Sequence, residues 1–237
     1  MNSERWYYWA DKLGVAVLQD APQKYGGATA ATVEPFLADL KAMFDGRGNH
    51  PSIIQWELFN EGDCWSVFNV SDVVAWASAY DPHRLIDTNS GGGANDLRIG
   101  DVNDVHSYPW PSAPAPSATQ YAMLGEFGGL GAFTAGKEWA PGQCGTYLPT
   151  PTPAIEAATY VNMTKMLLVS KYAPGVSVSI YTQITDVESE RPPQPPQRPP
   201  PPPPLSSFCP LLRAGDLLTH KQSLTMHQQT RPPPPAR

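Results

Sequence analysis

Ile53-Ile54-Gln55-Trp56-Glu57-Leu58-Phe59 runs directly into Asn60-Glu61-Gly62, and this stretch decides the fold. An apolar run of seven residues with β-branched and aromatic side chains reads as a buried strand. At its end the chain turns abruptly polar, with an amide, a carboxylate and a glycine in succession. Upstream, Val15-Ala16-Val17-Leu18-Gln19-Asp20 repeats the pattern, and its lack of alternation is typical of a strand covered on both faces. Before it, Trp6, Trp9, Ala10 and Leu13 recur at helical spacing from Glu4 to Leu13, with Gly14 placed as a C-cap. Between the two strands, Thr32 is positioned to cap a helix whose apolar face is Val33, Phe36, Leu37, Leu40 and Phe44.

The rhythm continues downstream. Ser71 and Asp72 start a helix through Trp76 and Ala79, closed by Asp81-Pro82. Residues 84–88 form a strand before the glycine turn Gly91-Gly92-Gly93. Asp101 to His106 is the next strand, stopped at Tyr108-Pro109. Tyr121 to Gly125 follows, with Glu126 at its end. Ile155 to Val169 reads as a long helix and Val176 to Gln183 as a last strand. Six strands alternating with helices or long loops, with polar residues at their C-terminal ends, describe a parallel α/β fold whose site is built from the βα-loops. An eight-fold barrel takes about 250 residues, roughly 31 per βα unit, so residues 1–190 hold about six units. A doubly wound open sheet is the competing architecture. It is disfavoured because Gly91-Gly92-Gly93 lacks the GxGxxG phosphate-turn spacing. The expectation is α/β, a partial (β/α)8 TIM barrel.

Composition divides the chain near Glu190. Residues 191–237 hold 15 of the 28 prolines and a single aromatic residue, Phe208, and carry a net charge of +5, against −11 for residues 1–190. Proline runs cannot donate backbone hydrogen bonds and favour the extended polyproline helix, so the second segment reads as a disordered proline-rich tail. The overall charge of −6 presents no basic footprint for nucleic acid. No apolar run is long enough to span a membrane. Cys64, Cys144 and Cys209 have no CxxC spacing, so neither a zinc site nor a disulfide framework is expected. Nothing calls for a cofactor or a metal ion; Asp186 and Glu188 read as solvated acids or helix caps rather than cation ligands.

The chemistry sits at two strand ends, Trp56 to Gly62 and Leu124-Gly125-Glu126-Phe127-Gly128-Gly129. Each delivers a glutamate towards the same mouth. Taken singly, Glu61 or Glu126 reads as a loop carboxylate capping the next helix. Taken together, at strand ends beside glycines that permit tight turns, they suit glycosidic cleavage with retention: one carboxyl protonates the leaving oxygen while the other attacks the anomeric carbon. Different surroundings must then keep one protonated and the other ionised. Asn60 is placed to donate to the sugar 2-hydroxyl.

These residues also carry a resemblance. Arg5-Trp6-Tyr7-Tyr8, Ala10-Asp11-Lys12-Leu13-Gly14, Gln19-Asp20, Asn49-His50-Pro51-Ser52-Ile53, Asn60-Glu61, Asp104-Val105-His106-Ser107-Tyr108-Pro109, Gly125 to Gly129 and Tyr181 to Glu188 are together similar to the catalytic barrel of glycoside hydrolase family 2, which includes β-galactosidases, β-glucuronidases and β-mannosidases. The resemblance spans about residues 4–190. It implies that Glu61 is the acid/base and Glu126 the nucleophile of a retaining mechanism. It also implies that Asp20, His106 and Tyr108 line the sugar pocket, with Tyr108 orienting Glu126. Family members carry a β-sandwich and an immunoglobulin-like domain before the barrel, and the match enters after the second strand. The implied product is therefore a barrel lacking about its first two strands, and its exposed edges and lost core side chains predict a chain that is unstable or aggregates and has weak activity or none. The abrupt change after Glu188 implies an altered reading frame, a retained intron or a shortened gene model.

Among the tryptophans, Trp56 alternates with Ile54 and reads as core, whereas Trp65 and Trp110 follow strand ends and are the candidates for stacking on sugar; Trp139 ranks behind them. His106 reads as a pocket donor because Tyr108 adjoins it, and His50 as structural. Asn69-Val70-Ser71 and Asn162-Met163-Thr164 fit the glycosylation pattern, the latter on an expected helix. Two rival functions use other features. Pro193 to Arg198 matches a PxxP core with a flanking arginine, the form taken by ligands of SH3-type domains, which would make the tail an interaction segment. A pocket that holds glycans without cleaving them is the other.

Overall fold

The computed structural model describes residues 1–22, 28–62, 64–92, 97–132 and 145–184. The proline-rich tail with its PxxP core, Asp186, Glu188, Trp139, Gly93, Cys144 and Cys209 lie outside the described residues, all of which belong to one compact unit, Met1–Gln194. Helix α1 (Glu4–Leu13) is followed by β1 (Val17–Asp20), α2 (Ala30–Arg47), β2 (Ile53–Glu57), α3 (Val70–Tyr80) and β3 (Leu85–Asp87). Then come β4 (Val102–Ser107), β5 (Tyr121–Gly128), β6 (Leu130–Ala132), β7 (Leu148–Thr150), α4 (Pro153–Ser170) and β8 (Val176–Thr182).

All the strand pairs are parallel. One sheet has the order β1-β2-β3, a second β4-β5-β8, and β6 pairs with β7. The two larger sheets meet where the Asp101 N–H donates to the Ile86 carbonyl at 2.9 Å and the Ile86 N–H to Asp101 Oδ2 at 2.8 Å. Neighbouring strands thus follow chain order, with none of the order reversal that creates the binding crevice of a doubly wound sheet. Parallel strands in chain order bring all their C-terminal ends to one side, which is what concentrates the polar strand-end residues.

Several element bounds differ from the sequence expectation, each for a local reason. Helix α2 begins at Ala30, so its cap lies three residues before Thr32. Thr29 is its N-cap, and Thr32 Oγ1 accepts the Thr29 N–H at 2.9 Å, so Thr32 serves the cap from inside the first turn. Helix α3 starts at Val70, one residue before Ser71, and α4 starts at Pro153, where Thr152 Oγ1 accepts from the Ile155 N–H and proline occupies the first helical position. Gly14 does close α1, at φ 71°. The short pair β6–β7 was not expected: three residues each are too few to show periodicity, and only their mutual pairing makes them strands.

The main core lies between the first sheet and α1, α2 and α3. Tyr7, Leu40, Met43, Phe44, Ile53, Trp56, Leu58 and Ile86 are almost wholly buried in it. Trp56 is core, as its alternation indicated. Its ring stacks on Phe44 at 4.4 Å, and its Nε1–H donates to Asp81 Oδ2 at 3.0 Å. Asp81 also accepts from Arg84 Nη1 at 2.5 Å, so the Asp81-Pro82 turn that ends α3 is tied to β2. His50 is structural: Nδ1 lies 2.7 Å from Asp11 Oδ2, and the Ser52 N–H donates to Asp11 Oδ1 at 2.9 Å, fastening α1 to the start of β2. A second, smaller core joins Leu124, Phe127 and Met163 with Leu148, Leu167 and Tyr181.

Candidate active site

The segment after β2 supplies one carboxylate and the C-terminal part of β5 the other; β5 runs on to Gly128, so Glu126 is inside the strand rather than at its end as expected. Leaving β2, the chain reaches Glu61 at φ 49°, a left-handed conformation uncommon outside glycine. The Glu61 N–H donates to the Ser90 carbonyl at 2.9 Å, and Asn60 bridges to Ser90. The segments after β2 and β3 therefore hold each other, and the constrained backbone sets where the Glu61 side chain goes. Glu126 lies within β5, opposite His106 of β4 in the parallel register. The register shifts between Val105 and His106, a local irregularity that re-aims side chains next to the site.

These elements converge on His106. Its Nδ1 is 2.6 Å from Glu61 Oε1 and 3.6 Å from Glu126 Oε2. Donor-type atoms of Glu61, His106 and Glu126 all lie within 4.8 Å of one another. A cation would fit such a spacing; in this arrangement Glu61 Oε1 faces His106 Nδ1 and Glu126 Oε2 accepts from Tyr108, a geometry that equally suits proton exchange. Tyr108 donates its hydroxyl to Glu126 Oε2, lies 2.8 Å from Thr182 Oγ1, and stacks on Tyr147 with ring centres 3.8 Å apart. Burial pushes the Glu126 carboxyl above the usual glutamate range, reinforced by the charges of Glu61 and Asp20, while Tyr108 and His106 pull the other way. The Tyr108 phenol is pushed strongly up, by burial first and then by donating to Glu126, so it stays a donor.

Behind the trio is a layer the sequence reading did not single out. Asp104 is buried, and its carboxylate accepts from Ser90 Oγ at 2.7 Å, from the Gly91 N–H at 3.1 Å and from the Gly125 N–H at 2.6 Å. A Cβ at Gly125 would collide with this carboxylate, and one at Gly91, where φ is 66°, with the His106 ring. Both glycines are needed for the close approach. Asp104 could have been found from alternation, since it stands two residues before His106 and points the same way. Ser90 could have been found from the strand-end rule applied to β3. Thr182 lies in the Tyr181 to Glu188 stretch that carries the resemblance but had no role attached to it, and Tyr147 carried no sequence signal.

Deeper still, Glu57 is held well above the usual glutamate range by burial, by a hydrogen bond with Asp20, and by the charges of Asp87 and Asp104.

Of the eight residues singled out from sequence, the structure brings Glu61, Glu126, His106 and Tyr108 into one hydrogen-bonded group. Asn60 adjoins it through Ser90. Asp20, at the end of β1, acts on both Glu57 and Glu126. Trp65 and Trp110 sit differently: each is half-buried, Trp65 against the main core and Trp110 against the smaller one.

Residues 1–110 match the family model "Glycosyl hydrolases family 2, TIM barrel domain". A beta-galactosidase of Vibrio cholerae is 27% identical over 130 residues, covering 52% of this chain and 12% of that protein. One from Photobacterium profundum is 32% identical over 102 residues, 40% of this chain and 10% of its own length. One from Alteromonas mediterranea is 29% identical over 99 residues, 38% and 9% respectively. The chain thus spans about a tenth of the length of these relatives. Among the described residues no helix is long and apolar enough to cross a membrane.

Proposed function

We propose, for a chain whose residues 1–110 belong to the TIM barrel domain of glycosyl hydrolases family 2, that it acts on O-glycosyl bonds of β-glycosides by a retaining double displacement. The observation that carries this reading is the spacing of Glu61 and Glu126. One oxygen of each carboxylate lies within 4.8 Å of the other, a closeness that fits the ~5–5.5 Å carboxyl separation of retaining enzymes better than the ~6.5–9.5 Å that inverting enzymes need to admit a water. The barrel on which they stand is read as incomplete, and the segment after Glu190 as a separate proline-rich tail.

In the first step Glu126 Oε attacks the anomeric carbon, the bond to the leaving oxygen breaks with its electron pair, and Glu61 protonates that oxygen. In the second, Glu61 takes a proton from water, whose oxygen displaces Glu126 and restores the original anomeric configuration. Tyr108 orients Glu126 and stabilises its charge. Asn60 donates to the sugar 2-hydroxyl, Asp20 and His106 line the same mouth, and Trp65 and Trp110, although each packs against a core, are the candidates for stacking on the sugar. The beta-galactosidase relatives make galactosides the first substrates to try; glucuronides and mannosides follow.

The test is hydrolysis of a panel of aryl β-glycosides, with azide added to alanine variants. A small anion entering the space left by Glu126→Ala attacks the substrate from the nucleophile's face and yields the α-glycosyl azide. In Glu61→Ala, azide attacks the glycosyl-enzyme and yields the β product. Either variant alone should lower kcat by about 10²–10⁴-fold. Calorimetric sugar binding with no hydrolysis of any member of the panel would reduce the site to a glycan-binding pocket.

A further inference from the structure

Four side chains, Asp104, Ser90, His106 and Glu61, stand in a row from the buried side of the sheet to the mouth. The Gly91 and Gly125 N–H groups and the Ser90 hydroxyl converge on the Asp104 carboxylate. Ser90 Oγ is 2.9 Å from His106 Nε2, and His106 Nδ1 is 2.6 Å from Glu61 Oε1. The proton inventory of this row is restrictive. An ionised carboxylate accepts only, and a serine hydroxyl has a single proton. With that proton directed to Asp104 at 2.7 Å, Ser90 Oγ has only lone pairs left for His106, so the ring must donate from Nε2. A neutral His106 then turns a bare Nδ1 towards Glu61.

We infer that Ser90, held by Asp104, is a positioning residue that selects the Nε2–H tautomer of His106 and thereby makes Nδ1 the partner with which Glu61 shares its acid proton. The inference rests on the reading of Glu61 as the acid/base. The alternative tautomer, Nδ1–H facing an ionised Glu61, is a state without a transferable proton, and Ser90 disfavours it by leaving the Nε2 lone pair unpaired. The charged groups that face the ring pull in both directions: Asp104, 3.8 Å from Nε2, favours a proton there, whereas Glu61 and Glu126, 2.6 and 3.6 Å from Nδ1, tolerate a bare Nδ1 only while Glu61 carries the shared proton. The side chain of His106 is 6% exposed, so water does not compete for the nitrogen that Ser90 holds. Gly91 lets the ring lie flat on the backbone that presents Ser90.

The tautomer is read directly, without catalysis, from long-range proton–nitrogen correlation spectra of the full chain labelled with ¹⁵N-histidine. His106→Gln assigns its signals among the five histidines. The parent should show His106 protonated at Nε2. Ser90→Ala should shift the tautomer ratio towards Nδ1–H by about tenfold, the equivalent of one hydrogen bond, and Ser90→Thr, which keeps the hydroxyl, should retain the parent pattern. In Asp104→Asn the new amide donates to Ser90 Oγ, the hydroxyl turns to Nε2, and the ring should adopt Nδ1–H. An Nδ1–H tautomer in the parent, an unchanged ratio in Ser90→Ala, or random-coil shifts for His106 in the parent would each overturn the inference. Aryl β-glycoside hydrolysis, measured on the same samples, separates the two readings. The Nε2–H tautomer without hydrolysis sinks only the glycosidase assignment, and hydrolysis with the Nδ1–H tautomer sinks only the role of Ser90.

Discussion

In the proposed mechanism, where Glu126 is the nucleophile, its contact with Tyr108 sets the working pH. A nucleophile must be ionised, yet burial and the neighbouring acids hold Glu126 above the usual glutamate range, with the Tyr108 hydroxyl and His106 opposing them. Activity should therefore fall as pH drops through a value higher than an ordinary glutamate's, which the acid limb of kcat/KM against pH reports. Tyr108→Phe removes a donor to the charged form. That limb should move to higher pH, and kcat should fall by about 10²-fold, the usual scale for one well-placed donor. An acid limb unmoved by the substitution would show that Tyr108 does not act on Glu126. At this scale Glu61 was legible as a carboxylate following an apolar run, whereas the expectation that Glu126 ends its strand differs from the structure, in which β5 continues to Gly128. The partnership of His106 with Ser90 was not legible, since the two are 16 positions apart and meet only through the spacing of neighbouring strands.

Helix α2 illustrates the element scale. Its apolar positions were legible, and Leu40 is fully buried, as the spacing of Val33, Phe36, Leu37, Leu40 and Phe44 implied. Leu40→Ala should cost about 2–5 kcal/mol, measured by denaturant unfolding, because a cavity adds to the lost transfer energy. The helix start was misplaced by three residues because two threonines three apart are equally plausible caps, and only the direction of the side-chain bond separates them. Helix α4 contrasts with α2. Met163 is its sole residue counted as buried, while Leu168 and Val169 are each more than half exposed. Amide hydrogen exchange should accordingly be faster in α4 and β8 than in α2 and β2, since protection tracks buried apolar contacts. Equal protection in both halves would contradict the picture of one large and one small core.

Across the whole molecule, the acids buried beneath the site govern stability. The folded state binds the Glu57 proton more tightly than the unfolded chain does, because burial and Asp20 disfavour its charge. Stability from this group is therefore complete below the ordinary glutamate range and is lost as pH rises through the raised value. Glu57→Gln, which cannot ionise, should flatten the fall in Tm between mildly acidic and alkaline pH while keeping a polar partner for Gln55, now 3.3 Å from Glu57 Oε1. A pH profile of Tm identical to the parent's would place the titration elsewhere.

The parallel α/β class, its six main strands and the two glutamates were written in the sequence itself, because an apolar run, a helical period and a polar strand end are local patterns. The chain-order neighbours, the convergence of Glu61, His106 and Glu126, and the Asp104–Ser90 layer behind them were decided by tertiary structure alone. Strand pairing joins residues far apart in the chain, and a hydrogen bond depends on ångström distances that no spacing along the sequence encodes.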